Sequence, residues 1–149
     1  MNTKNGFTLI VFILISTVSV LAQEYKVVTI VESIVPAGLG RSRMIESKDK
    51  VDYKNFTTDR TEGNKSDQGD IKRADIKIDN FQETKLLNFY SIVGINFQNI
   101  ASNDAVISSK INELAGEGWQ LLFVTSGVES DGGKGDGNGI FITRLIFKK

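Results

Sequence analysis

The sequence predicts an α+β fold in which one main helix, residues 104–117, packs on one face of a mostly antiparallel sheet of about five or six strands. Three observations lead to this prediction. Residues 24–35 alternate and are rich in β-branched side chains, which is typical of a strand. Apolar residues then recur at helical spacing before a glycine stop. Two apolar runs, 120–129 and 139–148, flank a glycine-rich turn and predict a final hairpin.

The N-terminal segment has the layout of a secretory signal peptide. Lys4 precedes an almost unbroken apolar run at 7–21, and Ala22 occupies the last position before a plausible cleavage point. The run is shorter than the roughly 20 residues that span a bilayer, so we prefer cleavage to the alternative of an uncleaved anchor. The sequence therefore predicts a signal peptide at 1–22 and a single domain at 23–149. We expect that domain to be exported, either periplasmic or secreted, with no membrane contact after cleavage.

The charge balance and two missing residue types limit the function. The chain has 18 Lys and Arg against 18 Asp and Glu, so nothing directs it to nucleic acid. It has no His and no Cys, which removes the commonest general base, the thiol nucleophile and the usual zinc ligands. We therefore expect no cofactor, and we consider a binding module more plausible than an enzyme.

A highly charged segment interrupts the predicted sheet. Seventeen of the 34 residues in 46–79 are charged, and the central part, 57–70, has no large apolar side chain. Such a stretch cannot bury enough surface to offset the entropy lost on ordering it. We predict a mobile charged loop at about 57–70 between two marginal strands, 50–56 and 71–79.

Two more strands are predicted on either side of the charged segment. A turn at 36–40 contains Pro and Gly and leads into a returning strand at 41–47. Residues 86–93 are apolar again and predict a strand, and Gly94 after them marks a bulge or a bend.

The main helix is predicted with its ends and its buried face. Ser102 or Asn103 is the expected N-cap, and Gly118 is the expected left-handed stop. Helical periodicity divides the remaining residues into two faces. The buried stripe is Val106, Ile107, Ile111, Leu114 and Ala115, and the wet face is Lys110, Asn112, Glu113 and Glu117.

The final strand is apolar on both of its faces. Ile140, Ile142 and Ile146 share one face with Arg144, while the alternate positions carry Phe and Leu. Such a strand is normally covered on both sides, and a single helix covers only one. The second sheet face must therefore be covered by the hairpins of residues 41–100, by a ligand, or by a partner chain, which includes a homo-oligomer.

Two short stretches of the sequence resemble a known bacterial family. They are Tyr25-Lys26-Val27-Val28 and the run from Asn112 to Leu121, NELAGEGWQL. Together they resemble the domain of unknown function 4177 family, whose signature is a Tyr-Lys-Val-Val strand and a helix that ends in Glu-Gly-Trp. The resemblance implies a compact α+β fold, no known catalytic residues, and a long insertion here at 41–100. The whole mature chain also resembles hypothetical exported proteins of Bacteroidetes-like bacteria.

Three groups of residues are candidates for function. Arg41 and Arg43 follow a glycine-rich turn and could bind an anion between their two guanidinium groups. We prefer the alternative that they lie on a solvated edge strand, where their charges block unwanted strand pairing. The predicted turn between the last two strands contains side-chain oxygens that could bind Ca²⁺. The order of ligands found in an EF-hand loop is absent, so we prefer to interpret this turn as a mobile hairpin tip. The candidate ligands are Asp131, Asp136 and Asn138.

Trp119 is the third candidate, because it could stack on a ligand or seal the core where the helix gives way to a strand. We prefer the core, since Trp is usually mostly buried. Four residues then have structural roles: Ile111, Leu114, Gly118 and Trp119.

Two classes of function follow from these residues. The preferred hypothesis is a non-enzymatic exported module that binds a partner or associates with itself through the second sheet face. The alternative is small-anion binding or a hydrolase-like activity that uses Arg41 and Arg43 with a carboxylate such as Glu32 or Glu46.

Overall fold

The computed structural model describes residues 23–33, 42–91, 93–128 and 140–149, so the predicted signal peptide lies outside the described residues. In chain order the elements are β1 (Tyr25–Ser33), β2 (Arg43–Ser47), a 3₁₀ helix (Tyr53–Phe56), β3 (Arg60–Thr61), β4 (Lys65–Ser66), a second 3₁₀ helix (Gln68–Asp70), α1 (Arg73–Ile76), β5 (Phe81–Lys85), β6 (Tyr90–Ser91), β7 (Gly94–Ile95), α2 (Phe97–Gly116), β8 (Gln120–Val128) and β9 (Ile140–Lys148).

Five strands form one antiparallel sheet in the order β5-β2-β1-β9-β8. The predicted α+β class and the antiparallel sheet with one main helix are confirmed. β1 lies in the centre and pairs with β9 along its whole length, from Tyr25 opposite Lys148 to Ser33 opposite Ile140. The returning strand predicted at 41–47 is β2, which pairs with β1.

The core lies between α2 and one face of this sheet, which we call the helix face. Its buried apolar side chains are Val28, Ile30, Met44, Leu86, Leu114, Trp119, Leu145 and Phe147. Val106, Ile107 and Ile111 of the predicted stripe pack against them, whereas Ala115 is exposed. Strand alternation places Val27, Val31, Ile45, Ile142 and Ile146 on the opposite side, which we call the outer face.

The main helix begins at Phe97, seven positions before the predicted start. Asn96 is the N-cap, and its side chain accepts a hydrogen bond from the backbone N–H of Asn99 at 3.1 Å. The prediction of Ser102 or Asn103 as the cap was wrong because a short polar side chain inside a helix resembles a cap in sequence. Asn103 instead has partners outside the helix, as described below.

The helix ends as predicted, in a Schellman motif at Gly118. The backbone N–H of Gly118 donates to Ala115 at 3.0 Å, and that of Trp119 donates to Leu114 at 2.9 Å. Gly118 has a φ of +90°, a backbone conformation that residues other than glycine rarely adopt. The turn places Trp119 against the core at the start of β8.

Residues 50–79 leave the sheet and return to it, and we call them the excursion. None of them is buried. The base is closed by Asp49, whose carboxylate accepts hydrogen bonds from the backbone and side chain of Asn80 at 3.2 and 3.1 Å. The marginal strands predicted at 50–56 and 71–79 were wrong, because these stretches contain a 3₁₀ helix and the short helix α1. They have too few apolar residues to form a buried sheet face.

The strand predicted at 86–93 was also wrong over most of its length. β5 ends at Lys85, and the hairpin of β6 and β7 follows, turning through Gly94 with a φ of +117°. The N–H of Leu86 still donates to the carbonyl of Ser42 at 3.1 Å, but beyond it both backbone polar groups of Leu87 bond to the Asn103 side chain of α2. These bonds replace the ladder that a strand would need.

Candidate functional site

The outer face of the sheet has an apolar row near the start of β1. Val27 lies opposite Ile146, and Ile146 lies opposite Phe123, which makes a continuous row across three strands. Val27 is 45% exposed and Phe123 is 60% exposed, and Tyr25 and Phe81 add two exposed aromatic rings to the same face. Adjacent large apolar side chains left in water on one face are typical of an interaction surface.

Charged side chains surround this apolar row unevenly. Arg144 is exposed in the centre of the outer face, between Thr29 and Thr125. On the β5 side, Arg43 forms an ion pair with Glu83 and lies opposite Lys85. Lys148 lies opposite Tyr25 at the end of the row, so the described strands place four cations and one anion on the outer face.

The predicted anion site is not assembled among the described residues. Arg41 lies outside them, and Arg43 lies on the outer face beside Glu83. Glu32 and Glu46, the carboxylates considered with these arginines, lie on the helix face. The sheet therefore separates the carboxylates from Arg43, so no common site of Arg43 with either carboxylate exists in this structure.

The candidate calcium ligands Asp131, Asp136 and Asn138 lie outside the described residues. Within 23–33, 42–91, 93–128 and 140–149, no group of three or more Asp and Glu side chains could hold a metal ion.

A buried charge cluster that was not predicted lies on the helix face. Glu46 is buried, and its Oε1 accepts a hydrogen bond from Lys26 Nζ at 2.9 Å. Its Oε2 lies 2.9 Å from Lys110 Nζ, in an ion pair that joins β2 to α2. Lys110 was predicted on the wet face of the helix, but its side chain is only 12% exposed and also contacts Glu113 at 3.4 Å.

The lysines determine the protonation of Glu46. Burial alone raises the pKa of this carboxyl, but hydrogen bonds and charge from Lys110 and Lys26 outweigh it and lower the pKa to about 2. Burial likewise lowers the pKa of Lys110, and the contacts with Glu46 and Glu113 outweigh that effect and raise it. Glu46 and Lys110 are therefore both ionised at neutral pH, and they form an ion pair between β2 and α2.

A cavity of about 360 Å³ opens beside this cluster, between α2 and the strands β2 and β5. Its walls combine Met44 and Val106 with Glu46, Lys110 and Thr84. The charged side chains that line the cavity, Glu46, Lys110 and Glu113, are joined by ion pairs within the chain.

A second buried polar group, Asn103, ties α2 to the segment after β5. Its Nδ2 donates to the carbonyl of Leu87 at 2.8 Å and to Glu32 Oε1 at 3.1 Å, and its Oδ1 accepts from the N–H of Leu87 at 2.8 Å. The sequence held a signal for it, because Asn103 falls four residues before Ile107 on the apolar stripe. A polar residue in that phase needs partners from another element.

Ser42 makes a similar structural link at the other end of β2. Its Oγ accepts from the backbone N–H of Ser33 at 3.0 Å and donates to Asn88 Oδ1 at 2.7 Å. The hydroxyl is buried, and both of its hydrogen-bonding roles are taken, so it acts as a bridge between β1, β2 and the segment after β5.

Trp119 is 8% exposed and lies in the core, the preferred of its two predicted positions. Lys26 Nζ lies 4.8 Å from the centroid of its ring, and Lys149 Nζ lies at 5.9 Å while donating to the carbonyl of Glu117 at 2.7 Å. These cations hold the ring by cation–π contact. The arrangement fits a seal between helix and strand.

Comparisons with known proteins add no family to this description. No protein-family model matches the chain, and neither the curated proteins nor the solved structures include a match. The resemblance to the domain of unknown function 4177 family therefore stays a prediction from its motif residues. Among the residues that the structure describes, no helix has both the length and the apolar character needed to cross a membrane.

Proposed function

We propose that this protein is a non-enzymatic interaction module that binds another protein through its outer face. The observation that carries the proposal is the row of Val27, Ile146 and Phe123, which is apolar and lies on the face opposite α2. Protein interfaces combine such an apolar centre with a polar rim, and exposed aromatic side chains contribute most to their affinity.

The charges of the outer face indicate the kind of partner. The outer-face cations Arg43, Lys85, Arg144 and Lys148 outnumber Glu83, so a partner with an apolar centre flanked by carboxylates would be complementary. If two copies paired through their outer faces with the two-fold axis close to Arg144, that residue would lie near its own copy in the partner. Repulsion between the two positive charges would oppose such pairing. A different protein is therefore the favoured occupant of this face over a second copy.

Photo-crosslinking tests this use of the outer face. A photoreactive amino acid is placed at Phe123 or at Val27, with Tyr53 in the exposed excursion as the control position. In the native host we expect the same crosslinked partner from both outer-face positions and none from the control. Crosslinking at Phe123 and Val27 no stronger than at Tyr53 would contradict the proposal.

Export belongs to the same proposal, since the apolar run at 7–21 followed by Ala22 supports a cleaved signal peptide. Intact-mass measurement on protein purified from the native host should give the mass of residues 23–149. A full-length mass in the cell interior would refute this part of the proposal and leave the interaction surface untouched.

A further inference from the structure

The two edges of the main sheet are built differently. β5 forms one edge with five residues, FQETK, of which Glu83 and Lys85 are charged. β8 forms the other with nine residues, QLLFVTSGV, none of which is charged. Short charged edges resist pairing with other chains, whereas long uncharged edges offer their backbone groups to a new strand. Only β5 has the features that protect an edge.

β8 is also exposed along its entire length. Every residue of the strand is exposed, although α2 covers the helix face next to it. Leu121 and Val124 lie on the helix face and Phe123 on the outer face, so large apolar side chains meet water on both sides. Within the described ranges, no strand pairs with the edge of β8 that faces away from β9. The strand has the composition of an interior strand in an edge position.

We propose that β8 pairs antiparallel with β8 of a second copy of this chain, so that the two five-stranded sheets become one continuous sheet. An antiparallel strand pair has a two-fold axis, so one strand can serve as its own partner. Because β8 has no charged residue, self-pairing sets no like charges opposite each other. Nine residues provide a contact about 30 Å long at roughly 3.4 Å per residue.

The residues of β8 suit a register centred on Val124. With the two-fold axis at that residue, Val124 lies opposite its own copy and Phe123 lies opposite Thr125. Aromatic and β-branched residues form favourable cross-strand pairs. The axis is perpendicular to the sheet, so both copies of α2 lie on one side and both outer faces lie on the other. The edge contact leaves the outer face available, and this inference therefore does not depend on the proposed function.

Single cysteines test the register directly because the chain has none of its own. In the paired state the two Val124 Cα atoms lie about 4.5–5.5 Å apart, within the range that a disulfide spans. Protein expressed from the full-length sequence with Val124→Cys should oxidise to a covalent dimer much faster than the control Val51→Cys. The two valines are 47% and 50% exposed. Equal rates of dimer formation would overturn the proposed register.

Charge at the axis tests the association itself. Val124→Lys places two ammonium groups opposite each other, so light scattering should report a monomer at concentrations where the wild type and Val51→Lys are dimers. A wild type that remains monomeric at all concentrations would overturn edge pairing but not the proposed partner on the outer face. A dimer abolished by Val27→Lys and unaffected by Val124→Lys would place self-association on the outer face, contrary to both proposals.

Discussion

Glu46 is a carboxylate that lies on the helix face and is held ionised by two lysines. Its pKa is lowered from 4.5 to about 2, so its contribution to stability is complete above pH 4.5 and is lost as the pH falls toward 2. We expect Glu46→Gln to lower the free energy of unfolding by about 3 kcal/mol at neutral pH, because the shift is worth roughly 1.4 kcal/mol per pKa unit. Urea denaturation at neutral pH and near pH 2 measures both values.

The surface pair between Arg43 and Glu83 gives the matched control for that prediction. Both side chains are half exposed, so Glu83→Gln should cost less than about 1 kcal/mol and leave the acid dependence unchanged. The wild type and Glu83→Gln should therefore lose stability together on acidification, while Glu46→Gln changes much less. Parallel curves for all three proteins would show that Glu46 is not the group responsible.

Asn103 is a second residue whose side chain contributes more to the stability of the fold than its position in the sequence suggests. Asn103→Ala removes a buried side chain that makes three hydrogen bonds, two of them to the backbone of Leu87, and each such bond is worth about 1 kcal/mol. We expect a loss of about 2–4 kcal/mol in thermal or chemical unfolding. Asn112→Ala, at an exposed site on the same helix, should be neutral or slightly stabilising because Ala is the better helix former. Equal losses in both variants would contradict the bridging role of Asn103.

The C-terminus of α2 shows how two glycines two residues apart can have opposite roles. Gly118 needs its positive φ, so Gly118→Ala should destabilise by about 1 kcal/mol. Gly116 is the last helical residue, and an added Cβ there meets nothing within 4 Å. Gly116→Ala should therefore stabilise the protein by about 0.5–1 kcal/mol. Thermal melts of the two variants give the sign of each effect, and equal signs would contradict this account of the helix end.

Elements were predictable from the sequence where one local rule decided them. The alternation of β1 and the Gly-Trp stop after α2 are local patterns, and both lie where the sequence predicted them. Lys110 and Asn103 were misassigned because polar side chains on an apolar stripe are explained only by partners distant in sequence, Glu46 for one and Leu87 for the other. Their phase on the helix is visible in sequence, but the identity of the partner is not.

At the scale of the whole molecule, the sheet separates two kinds of surface. The helix face holds the core, and its buried charges form ion pairs with one another. The outer face and the β8 edge leave apolar groups in water. This division of the sheet into a packed face and an exposed apolar face supports the proposed interaction through the outer face.

The excursion at 50–79 provides the last test, because it contributes no buried residue to the domain. Its ends meet at Asp49 and Asn80, where Lys48 N lies 3.0 Å from the carbonyl oxygen of Asn80. Replacing 51–78 by a short Gly-Ser linker should preserve the cooperative melt and raise stability by about 1–2 kcal/mol, since a shorter loop costs less closure entropy. Circular dichroism and thermal melting measure both. Loss of the cooperative transition would mean that the excursion takes part in the core.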